Sequence, residues 1–458
     1  MAWLDSPAHV SGSSLPQSPP RDARPQRLRV LFIHPAFPNQ FTALGAELGK
    51  RAGFDCYGMV HHVMSRDAAS AGGMRHFVFE PEGQATPDGY AFTNPFESGV
   101  RNARGIARSL RLIKHAYPFD AVVGHAGFGS TLYLRSLIDA AIISYAEFPG
   151  YQCASGRAEF PVDPDVRLVG HACEALIYGS MAQSDLCVVP SRHARQFYPP
   201  ALQPMIRVQP EGFQMDPITR GGASERESLG LPKEGQLVGF FARTLEAVRG
   251  FDVFVEVARS LHQSDPSLHF VVIGDDQSIY GSEMRYLGGK TFMDHTCRRL
   301  GVPMSLLHWR RTMPYERFRR HLACLDLAVL PTFEGAANWS IFEAMVAGLP
   351  IIASNRCFIP EIMRDGVEGI LLDPGDYAQF VSAARDLLCH REKAAALGRA
   401  ARLRASRDFS VSRAADGYAQ IILDAVALRR QAAGQTLIAD RSASGKFSGT
   451  ELDSGRGA

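Results

Sequence analysis

The sequence has no long apolar run, no paired cysteines and almost no charge excess, and each absence removes a class of answers. No uninterrupted apolar stretch approaches the roughly 18 residues that a membrane span needs. The eight cysteines stand singly, with no CxxC pair and no histidine partner at metal-ligand spacing. That pattern argues against a zinc site or a disulfide framework and suits free thiols in a reducing, cytoplasmic compartment. With 49 basic and 47 acidic residues the net charge is +2, so nothing at whole-chain level asks for nucleic acid. Residues 1–27 are rich in Pro, Ser and Arg and lack the continuous apolar centre of a secretory signal, so they read as a disordered leader. The tail 429–458 reads the same way.

What is present is ample core-forming material. At 458 residues, 46% of them apolar, the chain exceeds the size at which one core keeps growing, which favours more than one domain. "LRVLFIHPAF" from Leu28 is a short apolar, β-branched and aromatic run, followed by a helical pattern in "QFTALGAELGKRAG". Strand candidates recur at Phe54 to Val60, Phe77 to Phe79, Ala121 to Gly124, Ala141 to Tyr145 and Leu186 to Val189. A second series of alternating strands and helices begins near Gln236. This alternation predicts an α/β protein with two doubly wound, mostly parallel sheets: a first domain over 28–205 and a second over 206–405. A last helix over 406–428 is expected to pack back toward the first domain.

Open parallel sheets bind ligands beyond the carboxyl ends of their strands, so two such domains facing each other offer one cleft. The loop "TFEGAAN" joins a strand ending at Pro331 to a helix in "WSIFEAMVAG". A helix start carries unpaired N–H groups and a positive dipole end, so a phosphate can dock there. The backbone of Asn338, Trp339, Ser340 and Ile341 stands at that start, with Asn338 or Ser340 as the expected cap. Glu334 can accept hydrogen bonds from sugar hydroxyls and Glu343 from the two hydroxyls of a ribose; on spacing alone Glu343 is equally a first-turn acid and Glu334 a solvated loop residue. In "FFARTLEAVRGFD", Arg243 and Arg249 lie six positions apart on one strand-to-helix loop, which suits an anionic diphosphate; the alternative is a surface pair partnered by Glu246. Gly274 ends the next strand of this domain, in "VVIGDD". In the first domain His125, on the loop of "VVGHAGFGS", can hydrogen-bond or deprotonate a hydroxyl. His34 and Phe37 after the first strand, and Tyr145 with Glu147 in "ISYAEFPG", can line an acceptor pocket, though packing roles fit them as well. Arg101, Arg104, Arg108 and Arg111 fall on one face of a helix whose other face is apolar, an arrangement compatible with a solvated face or with peripheral contact at an anionic membrane.

Together these motifs resemble the retaining glycosyltransferases of family 4, which have the GT-B fold of two facing Rossmann-like domains. The resembling stretches are "ARTLEAVRGFD", "VVIGDD", "FEGAANWSIFEAMVAGLPIIAS" and "IPEIMRDGVEGILLDPGD" in the second domain. In the first they are "RVLFIHPAFPNQF", "VVGHAGFGSTLYLRS" and "ISYAEFPGYQ", which look like a bacterial subgroup with its own amino-terminal signature. The resemblance implies that Arg243 and Arg249 bind the diphosphate of a UDP- or GDP-sugar and that Glu343 holds the ribose. It implies further that Glu334 approaches the transferred sugar, that the backbone from Trp339 to Ile341 takes the phosphates, and that His125 faces the acceptor or the donor sugar. It brings the expectation of a glycan or lipid-linked acceptor, a place in surface polysaccharide synthesis, no metal and no other cofactor. Two departures stand out. Glu334 and Glu343 enclose eight residues, one more than the family's motif, so either the loop bulges or Gly335 holds the place of the first acid. Arg249 replaces a common lysine, keeping charge but changing geometry. A nucleotide-sugar epimerase or phosphorylase on the same fold, or a non-catalytic nucleotide- or glycan-binding scaffold, are the alternatives.

Overall fold

A computed structural model describes residues 27–36, 40–61, 74–83, 90, 92–150, 157–216 and 218–444; the leader up to residue 26 and Phe37 lie outside them. The first sheet has strands β1 (Leu28–Ile33), β2 (Phe54–His61), β3 (Arg75–Phe79), β4 (Ala121–His125), β5 (Ala141–Tyr145), β6 (Leu186–Val189) and β7 (Ile206–Val208), in the order β3-β2-β1-β4-β5-β6-β7. All its pairings are parallel. The second has β8 (Leu237–Thr244), β9 (His269–Asp275), β10 (Leu307–Arg310), β11 (Leu327–Leu330), β12 (Ile351–Ser354) and β13 (Ile370–Leu372), in the order β10-β9-β8-β11-β12-β13, again parallel throughout. The central strands are buried on both faces, as helices on both sides of a parallel sheet require. The order reverses beside β1 and beside β8, which places a crevice at the carboxyl end of each sheet.

The first sheet reaches Val208 because β7, unannounced by any long apolar run, adds to the edge of β6. It therefore extends past the expected limit at residue 205. The helices used below are α1 (Gln40–Gly49), α2 (Asn94–Ile113), α3 (Arg192–Gln196), α4 (Phe251–Ser264), α5 (Tyr315–Cys324), α6 (Trp339–Ala347) and α7 (Val411–Ser444). Helix α7 follows the second domain in sequence but packs in the first. Ala414, Ala415, Tyr418, Ile421, Ile422, Ala425 and Val426 join the core formed by β1, β4, β5 and α1. It runs on to Ser444, well into the stretch expected to be a disordered tail.

Two chain crossings join the domains side by side. The Phe213 N–H donates to the Phe409 carbonyl at 2.9 Å and the Val411 N–H to the Phe213 carbonyl at 2.9 Å, while the Phe213 ring stacks on Phe342 of α6 at 4.5 Å. A third tie is Arg157, from the first half of the chain. It pairs with Asp252 of α4 at 2.7 Å, both side chains being 7% exposed, and its guanidinium lies 3.9 Å from the centre of the Phe333 ring. Nearby Phe160 is counted in the core of the second domain. The cleft walls are therefore joined by buried contacts as well as by the linker.

The basic face of α2 is largely spoken for. Arg101 bonds Glu97 and the Glu82 carbonyl, Arg104 pairs with Glu82, and Arg108 reaches the Glu80 carbonyl. Three of the four arginines proposed for membrane contact thus hold the segment after β3 against the helix. No helix among the described residues is long and apolar enough to cross a membrane.

Candidate functional site

The strand-end loops of both sheets meet at the cleft. On the second-domain side Arg243 is the next-to-last residue of β8, not a loop residue as expected, and Arg249 ends the short turn that follows the strand. The Arg243 Nη1 donates to the Tyr280 hydroxyl at 3.1 Å, and the Arg249 guanidinium lies 5.1 Å from the centre of the same ring. Arg249 also donates to Asn338 Oδ1. Tyrosine and asparagine are neutral, and among the described residues neither guanidinium pairs with a carboxylate. Glu246, the partner suggested for them, is buried, taking the Thr244 hydroxyl and the N–H groups of Tyr280 and Gly281. It positions Tyr280 and leaves both positive charges available.

Asn338 stands at the N-cap position of α6 but makes no side-chain cap. Its Oδ1 takes Arg249 and its Nδ2 donates to Thr332 Oγ1 at 3.1 Å. The expected cap is absent because the side chain is committed to the arginine, so the helix start stays open. The Ile341 N–H turns back to the Asn338 carbonyl at 3.1 Å, which leaves the N–H groups of Trp339 and Ser340 as the ones pointing out of the helix. Gly335 completes this corner: a Cβ there would lie 2.3 Å from Asn338 Oδ1 and 3.1 Å from Arg249 Nη1. Gly274 has a packing reason of its own, since at φ +155 a Cβ would come within 2.6 Å of the Ala242 carbonyl.

Glu343, one turn into α6, is 5% exposed. The Tyr315 hydroxyl, at the start of α5, donates to both of its oxygens at 3.0 and 3.1 Å. Burial pushes the carboxyl up to about 7, against the pull of Tyr315 and Arg319. Glu334 points elsewhere. Its Oε1 accepts from the Gly335 N–H at 2.8 Å and lies 2.6 Å from His193 Nε2 of α3 in the first domain.

On the first-domain side His34, His125 and Phe128 pack as a cluster, with ring centres 4.6 to 5.5 Å apart. His125 Nδ1 accepts from the Gly127 N–H at 3.1 Å, and His34 Nδ1 from the Ala36 N–H at 3.0 Å. Burial holds His34 down to about 4, and burial with the neighbouring His34 holds His125 well below its ordinary value. Both rings are therefore neutral near pH 7, and the Gly127 contact puts the His125 proton on Nε2. His125 offers an N–H donor to a hydroxyl, a better match to this geometry than the proton acceptor also considered for it. Tyr145 is fully buried beneath the His125 ring, at 5.2 Å, and its hydroxyl donates to Glu211. It supports the histidine and does not line an acceptor pocket. Glu147 follows β5 at the cleft, where its carbonyl accepts from the Tyr198 hydroxyl at 3.0 Å.

Glu211 on the first crossing joins the two sides, accepting from Tyr145 and from the Trp339 indole. Burial and the nearby Glu147 push its carboxyl up to about 7. Sequence reading missed Glu211, Tyr280, Tyr315 and His193. His193 alone had a usable signal, since "PSRHARQ" follows a strand as "GHAGFGS" does. Among the described residues no group of three or more His, Cys, Asp or Glu is placed to hold a metal ion.

Residues 58–218 match the model of the glycosyl transferase family 4 group, and residues 235–390 that of the glycosyl transferases group 1. The chain carries a family 4 group and a group 1 glycosyl transferase domain in succession. Its curated relatives include D-inositol 3-phosphate glycosyltransferases from Segniliparus rotundus, 28% identical over 56% of this chain and 54% of that protein, and from Acidothermus cellulolyticus, 27% identical over 51% of each. The chain thus spans about half the length of the curated relatives it matches. In three dimensions this transferase-family chain is similar to sucrose-phosphate synthase from Thermosynechococcus elongatus, at a TM-score of 0.67 and 16% identity, covering 88% of this chain and 100% of that one. It is similar also to Anabaena HepE in complex with UDP and glucose, at 0.63 and 16%, covering 86% and 99%. The two parallel-sheet domains are the GT-B architecture.

Proposed function

We propose that this chain moves a sugar from a nucleoside diphosphate sugar to an acceptor hydroxyl with retention at the anomeric carbon. The observation that carries the reading is the pair of guanidiniums, Arg243 and Arg249, held by neutral partners beside the uncapped start of α6. Such a corner has positive charge and free donors that pair with no carboxylate among the described residues, and a diphosphate supplies what is missing. Glu343 would accept the ribose hydroxyls and His125 would donate Nε2–H to a hydroxyl of the sugar or acceptor.

In the reaction the bond from the anomeric carbon to the diphosphate oxygen breaks as negative charge grows on the leaving group. Arg243, Arg249 and the N–H groups of Trp339 and Ser340 stabilise that charge. The acceptor oxygen forms its bond on the same face, and its proton passes to the departing phosphate oxygen. The acceptor is proposed to be a glycan or lipid-linked hydroxyl in surface polysaccharide synthesis. The names of the curated relatives favour a second acceptor class, a phosphorylated cyclitol.

The test is a panel of UDP-glucose, UDP-N-acetylglucosamine and GDP-mannose against oligosaccharide, polyprenyl phosphate-linked and inositol phosphate acceptors, reading nucleotide release and acceptor mass. One hexose gained by an acceptor, with equimolar UDP or GDP, is the expected result. Nucleotide binding without transfer from any donor would overturn the reading in favour of a scaffold, and an altered sugar still on its nucleotide would favour an epimerase. Gly335→Ala probes the diphosphate corner separately. Its methyl group would displace Asn338 or Arg249, so UDP affinity in calorimetry is expected to fall by roughly 10-fold, since a displacement near 1 Å is strongly felt in such sites. An unchanged affinity would place the diphosphate elsewhere.

A further inference from the structure

We infer that His193 is a positioning residue for Glu334, holding one oxygen of that carboxylate from across the domain interface so that the other faces the donor sugar. The inference rests on the transferase reading of the same cleft and adds to it a residue from the opposite domain.

His193 is built in from several directions. Ser191 caps α3 by accepting from the Ala194 N–H at 3.1 Å, and its own hydroxyl donates to the Ala336 carbonyl at 2.7 Å. Glu361 of the second domain accepts from the backbone N–H groups of Arg192 and His193 at 2.8 and 2.7 Å. The imidazole meets the rings of Phe148 and Phe197 edge to face, at 5.8 and 5.2 Å. Backbone and ring are thus fixed by the second domain and by aromatic packing before the Nε2 contact is made. That contact, 2.6 Å to Glu334 Oε1, joins side chains that are 19% and 20% exposed, shielded enough for a hydrogen bond to hold a geometry.

On the other side Glu334 Oε1 is fully used, taking His193 and the Gly335 N–H together. Oε2 has no hydrogen-bond partner among the described residues. Gly335, the next residue, abuts Asn338 and Arg249, so the open oxygen stands one residue from the diphosphate corner, where the sugar of a bound donor would lie. A carboxylate tied only to its own loop could rotate, whereas one tied to the facing domain is oriented whenever the domains are together.

The experiment compares His193→Ala, His193→Gln, Glu334→Ala and the His193→Ala/Glu334→Ala double variant in transfer from the donor found above, with UDP affinity and thermal midpoint measured alongside. His193→Ala is expected to lower kcat by roughly 10- to 100-fold, as loss of orientation at a reacting centre does, with UDP affinity within about twofold because the diphosphate and ribose contacts remain. His193→Gln, whose amide N–H reaches the place of Nε2, is expected to recover most of that loss. In the double variant the histidine change adds nothing to Glu334→Ala, since residues acting as a unit are not additive. Full additivity, a glutamine variant as impaired as the alanine one, or an undiminished His193→Ala would each overturn the assignment while wild-type transfer stands. A wild-type chain that transfers from no donor would instead remove the transferase reading and this inference with it.

Discussion

Replacing Arg249 with alanine is expected to lower kcat and kcat/KM by roughly 100- to 1,000-fold, the usual loss when one donor to developing negative charge is removed from a shielded site. Arg249 is half-buried, lies against the Tyr280 ring and bonds Asn338, so its planar fork is pre-set toward the open helix start. Arg249→Lys keeps the charge but cannot serve asparagine and phosphate with one rigid fork, and about a tenth of the lost activity should return. Arg243 is exposed at the end of β8, where water weakens its field; Arg243→Ala should cost about 10-fold. Equal falls in kcat and kcat/KM would mark an interaction made in the transition state. A rise in KM alone, with kcat within threefold of wild type, would reduce the arginine to a binding contact. An unchanged thermal midpoint in the same variant separates this from collapse of the Asn338 corner.

The parts of the site that were legible in the sequence are those that depend on one strand and the loop after it. Arg243 and His125 stand at the carboxyl ends of β8 and β4, while Arg249 and the start of α6 follow buried strands, and strand ends in a parallel sheet share one edge whatever the connections. The same logic found the strands themselves, as continuous apolar runs, except β7, whose three residues carry too little pattern to register. What stayed hidden depends on pairs far apart in sequence. Tyr315 and Glu343 meet because α5 and α6 are neighbours in the second domain, and Glu211 meets Tyr145 and Trp339 because the linker crosses between the domains. Neither pairing has a periodicity to read. The stripe of α2 shows the opposite error. Helical spacing put four arginines on one face correctly, but spacing says nothing of Glu80, Glu82 and Glu97, which take up most of their donors. Asn338 likewise reads as a cap by position and turns out to be the hydrogen-bond anchor of Arg249.

Glu343 should make nucleotide binding pH-dependent in a direction opposite to the stability of the empty protein. Its carboxyl is raised from 4.5 to about 7 by burial, so between those values the folded state holds a proton that the unfolded chain has lost. Stability from this group is complete below pH 4.5 and is given up as pH rises through 7, by at most roughly 3 kcal/mol. Glu211, raised for the same reason, adds to the slope, so Glu343→Gln should flatten the fall in thermal midpoint between pH 5 and 7.5 without abolishing it. Binding runs the other way. The ionised carboxylate is the stronger acceptor for ribose hydroxyls, so UDP should bind the wild type several-fold more tightly at pH 8 than at pH 6. Glu343→Gln should be weaker by about 10-fold at pH 8 and by only about threefold at pH 5.5, where the native carboxyl is itself protonated. Glu343→Ala, which also strands the Tyr315 hydroxyl, should reduce turnover by more than roughly 100-fold. Calorimetric titration of UDP across that pH range decides the matter. Affinities of wild type and glutamine variant that stay parallel with pH would show that the ribose does not rest on this carboxylate, and the burial of Glu343 would then serve only to hold α5 against α6 through Tyr315.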